Sequence, residues 1–199
     1  MGCLKNVLRA IIITLAVVGF LAIGGKDLIS GLVNNYLHPS KDTVMERAQK
    51  VGDFSKINDE FEIEKAAGIM GYNAVVAEHK ASGQKMLVVD SGNKKILTAE
   101  DIKSDNVEEK LHHALNKIKY QAITVDDLKV TKHGTMSSYG KEIPYVRFEA
   151  RVKKLPIGDI GGIISVAKTK DGEERILISA NEKDKYSQLI SNEFFKKIK

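Results

Sequence analysis

The hydrophobic pattern divides the chain into an apolar N-terminus, a short amphipathic stretch and a long mixed region. Sixteen residues from Ala10 to Gly25 carry no charge. As a helix they span roughly 24 Å at 1.5 Å per residue. Adding Val7 and Leu8, and letting Arg9 and Lys26 extend outward, brings this close to the ~30 Å hydrocarbon core of a bilayer. Beyond it Leu28, Ile29, Leu32, Val33, Tyr36 and Leu37 recur at helical spacing, a stripe that His38-Pro39 stops. The pattern predicts an uncleaved signal anchor, a transmembrane helix, in residues 1–25 and juxtamembrane helices in 26–50. A cleaved signal peptide competes with it, because Ala22 and Gly24 are small residues suited to a cleavage site.

The last juxtamembrane helix leads into the α+β region, residues 51–199, where the period changes. Val44, Ala48 and Val51 share a helical face that begins near Ser40, and Phe54, Ile57 and Phe61 form an apolar stripe of undecided type. Strands are expected from Ala66 onward: Tyr72 to His79 and Lys85 to Asp90 around the turn Ala81–Gln84, then Lys95 to Thr98. Asp105 to Lys119 reads as a helix capped by Asp105 and Glu108, with Val107, Leu111, Ala114, Leu115 and Ile118 inward. A strand at Leu128 to Thr131 leads through Ser137–Gly140 to a second, where Val146, Phe148, Ala150 and Val152 alternate with Arg147, Glu149, Arg151 and Lys153. Ile163 to Ala167 and Arg175 to Ser179 flank the hairpin signal Asp171-Gly172. A terminal helix with Asn181 or a nearby residue as N-cap would turn Tyr186, Leu189, Ile190, Phe194 and Ile198 inward. The expectation is one α+β domain, a mainly antiparallel sheet with helices on one face.

Charge and composition add orientation and exclusions. The 199 residues hold 31 Lys+Arg against 26 Asp+Glu, a formal charge of +5, and 43% are hydrophobic. This is the balance of a folded domain, with too thin an excess of cations for a dedicated nucleic-acid surface. Lys5 and Arg9 precede the apolar run and Lys26 is the close cation after it, so the N-terminus is expected in the cytoplasm and the domain outside it. The absence of any Asn-x-Ser/Thr site is compatible with a bacterial envelope protein. Cys3 is the only cysteine, which excludes an internal disulfide and a cysteine-based zinc site. It precedes the apolar run, unlike a lipoprotein cysteine.

No standard catalytic constellation is present. No serine lies in G-x-S-x-G. Gly134 to Lys141 misses the phosphate-loop spacing and places Glu142 where Ser or Thr should hold Mg²⁺. Gly158-Asp159-Ile160-Gly161-Gly162 precedes a strand instead of opening a helix. Glu108–His112 and Glu109–His113 are carboxylate–imidazole pairs one helical turn apart, the spacing of a two-ligand chelate, and His79 and His133 could add ligands from strands. A solvated helix face is the simpler reading, and no catalytic, cofactor-binding or metal residue is assigned. The loop Leu155–Gly162 combines three apolar residues with three glycines. Either it docks a partner through Ile157–Ile160, or it tucks into the sheet edge with glycines at positive φ. Lys153-Lys154 and the C-terminal lysines form a candidate basic patch.

The final third runs strand, hairpin at Asp171-Gly172, strand Arg175–Ser179 and a helix ending Phe194-Phe195-Lys196-Lys197-Ile198. In this order of elements residues 105–199 resemble the Mog1/PsbP-like α/β/α sandwich. The resemblance implies a binding or accessory domain without catalytic machinery, and carries over no functional residue. The expected function is therefore that of a single-pass membrane protein, N-terminus cytoplasmic, whose extracytoplasmic binding or accessory domain acts without turnover, through contact with a protein partner or by retaining a ligand near the membrane, while the N-terminal helix contacts membrane lipid. The alternatives are an envelope enzyme, a metal-assisted hydrolase using His112 or His113, and the same domain secreted after signal cleavage.

Overall fold

A computed structural model describes residues 41–69, 72–90, 92, 97–116, 124–153 and 159–199. The expected anchor Ala10–Gly25 and the stripe Leu28–Leu37 lie outside these residues. Among those described, no helix is long and apolar enough to cross a membrane.

Seven strands form one antiparallel sheet: β1 (Phe61–Ile69), β2 (Tyr72–His79), β3 (Lys85–Asp90), β4 (Thr124–Ser138), β5 (Lys141–Lys153), β6 (Ile160–Lys168) and β7 (Glu174–Glu182). Their spatial order is β1-β2-β3-β7-β6-β5-β4. Two meanders thus meet at the centre, where the last strand joins the third. Among the described residues the α-helices are α1 (Lys41–Gln49), α2 (Ala99–Lys103), α3 (Val107–Asn116) and α4 (Gln188–Lys197). The chain leaves β3 at the sheet centre and reaches the β4 edge by way of α2 and α3.

Turn chemistry sets the hairpins. Gly83 (φ 69°) closes β2–β3 and Gly172 (φ 84°) closes β6–β7, both left-handed conformations that favour glycine. Tyr139 (φ 50°) precedes Gly140 (φ 72°) in the β4–β5 turn. A tyrosine in this region is strained. Its ring is buried, and its hydroxyl donates to the Val51 carbonyl at 2.9 Å, which holds the turn in place.

Helices cover both faces of the sheet, a correction to the one-sided arrangement expected. On one face α1 (Val44, Ala48) and α4 (Phe194, Phe195), with Ile198, pack on Val75, Ala77, Met86, Val88, Ile163 and Leu177. On the other, Ile102 of α2 and Val107 and Leu111 of α3 pack on Val146, Phe148, Ile164, Val166 and Ile176. The cause is visible in β6, where every residue from Ile160 to Ala167 is buried. A strand covered on both sides reads as a continuous apolar run rather than an alternation.

Several boundaries also differ from expectation. Thr98 is not strand but the N-cap of α2: its hydroxyl accepts from the Asp101 N–H while the Asp101 carboxylate accepts from the Thr98 N–H. α3 begins at Val107, and the Glu108 carboxylate, expected to cap it, goes elsewhere. β1 starts at Phe61, whereas Phe54 and Ile57 belong to neither helix nor strand and pack into the first core. Pro144 lies inside β5. It is tolerated because β6 pairs only from Tyr145 onward, and the Pro144 carbonyl accepts from Ser165 Oγ at 2.6 Å. Asn181 lies in β7, so Tyr186 precedes α4 and Ser187 is its N-cap. Leu189, expected inward, is 79% exposed.

Candidate functional site

The α3–β4 corner contains the pair singled out as a chelate. Val107 and Leu111 turn inward, which places Glu108 and His112 on the neighbouring stripe facing β4. The Glu108 carboxylate accepts the Val130 N–H at 2.7 Å, and His112 Nε2 donates to the Leu128 carbonyl at 2.9 Å. Both side chains therefore serve the backbone of one strand. The His113 side chain lies outside the described residues. His79 sits in the β2–β3 turn, with Nδ1 2.9 Å from Ser82 Oγ and its ring against Phe61, and His133 is exposed on β4. The structure brings no two of the described histidines into one site. Among the described residues no group of three His, Cys, Asp or Glu side chains could hold a metal ion.

Ile160, offered as part of a docking loop, is buried in β6. Gly161 and Gly162 are also strand residues, and neither has positive φ. A Cβ on Gly162 would lie 2.8 Å from the Phe148 ring and collide with the Ser179 carbonyl oxygen. Close approach, not turn geometry, selects glycine there. Ile157 and Lys154 lie outside the described residues. At the C-terminus, Lys199 exchanges backbone hydrogen bonds with Asp53 and lies beside Lys56, whose ammonium holds that of Lys199 below the usual lysine range.

Three buried polar clusters escaped the sequence reading. The bulge between Ile63 and Lys65 of β1 interrupts the register around Glu64, whose carboxylate reaches Lys85 Nζ at 2.7 Å, and Glu78 approaches the same ammonium at 2.6 Å. Lys85 is only 2% exposed. Arg175 is buried on the opposite face, Nη1 3.0 Å from Asp90 and Nε 3.2 Å from the Val51 carbonyl that Tyr139 also uses. Burial holds the Tyr139 phenol above its usual range, so it stays a neutral donor. Finally, Gln84 Nε2 donates to Ser179 Oγ, Ser191 Oγ and the Ser187 carbonyl, each at 2.9 Å, while its Oε1 accepts the Ser187 N–H at 2.8 Å. Tyr186, pushed up to about 12 by burial, completes this group through Ser191.

Each cluster joins elements far apart in sequence: β1 to β3, α1's end to β7, and the β2–β3 turn to β7 and the start of α4. Their donors and acceptors are engaged with one another, which suits rigid scaffolding of a surface. The chain matches no protein-family model, and no curated protein sequence is significantly similar to it.

Proposed function

We propose that this protein is a single-pass membrane-anchored accessory protein, whose extracytoplasmic α+β domain binds a protein partner without turnover. The observation that carries the reading is the uncharged run Ala10–Gly25, preceded by Lys5 and Arg9 and followed by a domain of about 150 residues. The likeness of residues 105–199 to the PsbP-type sandwich belongs to the same proposal, because it implies an accessory module.

Membrane fractionation with carbonate and detergent extraction, followed by intact mass, tests it. Full-length protein released only by detergent is the expected result. A soluble product beginning near Gly25 would overturn the anchor and leave a secreted domain.

A further inference from the structure

An edge strand offers unpaired N–H and C=O groups to any strand that approaches, and proteins must block this. β4 is such an edge. Its register with β5 slips between Asp126 and Lys129 and again between Val130 and Lys132. Along a strand, backbone groups alternate sides, so those of residues 128 and 130 share one edge. Side chains from α3, not a strand, take the Leu128 carbonyl and the Val130 N–H. His112 supplies the donor and Glu108 the acceptor, the pair that a neighbouring strand would present.

We infer that the Glu108–His112 pair is an edge guard, which keeps this chain from pairing through β4 with a second copy of itself. The copy is the relevant intruder because the blocked groups are self-complementary. In an antiparallel approach centred on residue 129, each Val130 N–H meets the Leu128 carbonyl of the other copy. The exposed Lys129 would then face its own counterpart, and like charges directly opposite are unfavourable. Helix and lysine thus oppose the same pairing by different means.

The test compares the full-length native chain, Lys129→Thr, and the triple variant Glu108→Ala/His112→Ala/Lys129→Thr by sedimentation in density-matched detergent, with hydrogen exchange at the Val130 amide. Lys129→Thr alone is expected to sediment as the native chain, because the guard remains. The triple variant is expected to self-associate with a dissociation constant at least roughly tenfold lower than the native value. Its Val130 amide should exchange fast when dilute and slowly when associated. A folded triple variant that sediments like the native chain overturns the inference, as does association that leaves the Val130 amide fast. Should the triple variant lose its fold, Glu108→Ala/Lys129→Thr, which retains His112, carries the same two readouts and the same two outcomes.

Discussion

Arg175 and Asp90 stand directly opposite each other on β7 and β3, at the centre of the sheet, with Nη1 3.0 Å from Oδ1 and both residues buried. The guanidinium also holds the Val51 carbonyl beyond α1, so one side chain ties the sheet centre to the first helical layer. Removing one partner of a buried ion pair leaves the other charge uncompensated. Arg175→Ala should therefore destabilise the domain by about 3–5 kcal/mol. Chemical denaturation would show this as a lower midpoint with little change in slope, and an unchanged midpoint would refute it.

Lys85 with Glu64 and Glu78 poses the same problem on the other face, with two carboxylates against one ammonium. Lys85→Met removes the ammonium that both carboxylates engage and is expected to cost about 3 kcal/mol or more. Converting all three residues to apolar ones of similar volume (Lys85→Met, Glu64→Leu, Glu78→Leu) should recover most of that loss, because the charges contribute little net stability once desolvated. Thermal unfolding of the two variants decides the matter. A triple variant less stable than Lys85→Met alone would show that the ions themselves are needed.

These clusters also mark how far the sequence could be read. The alternation of Val146, Phe148 and Ala150 identified a strand and its buried face correctly, and Gly83 and Gly172 marked their hairpins. Lys85 and Arg175 were legible only as strand positions and Gln84 only as part of a turn, because partner choice is not local. Arg175 meets Asp90 at a separation of 85 residues, and Gln84 meets Ser191 at 107. The second helical layer was missed because apolar residues on both faces of β6 and β7 carry no period to read. The Glu108–His112 spacing was seen, but its object, the backbone of β4, lies across a chain reversal that no spacing encodes.

Gly162 tests the close-approach argument. Alanine there must displace both the Ser179 carbonyl and the Phe148 ring, in the packed centre of the sheet. Overpacking of this kind typically costs about 1–3 kcal/mol. Gly140→Ala makes an instructive contrast: a Cβ there meets nothing within 4 Å, yet φ is 72°. Its cost comes from backbone conformation, expected at roughly 1 kcal/mol. Pairing Gly162→Ala with Phe148→Leu should relieve only the part of the first loss that the ring causes, because the Ser179 carbonyl oxygen still collides with the added Cβ, and Phe148→Leu should leave the cost of Gly140→Ala untouched.

Acid should weaken the α2 cap in a defined direction. The hydrogen bond from Lys110 to Asp101, at 2.5 Å, together with those from Thr98, holds the Asp101 carboxyl below its usual range. A carboxyl whose folded value is depressed contributes stability that is fully present above its value in the unfolded chain, near 3.8, and is lost as pH falls through the folded value. The Asp101 contribution is thus complete at neutral pH and disappears only in acid. Asp101→Asn keeps an acceptor for the Thr98 N–H but loses the charge that Lys110 engages. The variant should be less stable than the native chain at pH 7, with the gap narrowing as pH falls below about 4. Unfolding midpoints at pH 7 and pH 3 measure the gap directly; a difference that stays constant or widens in acid would mean that Asp101 acts through shape rather than charge.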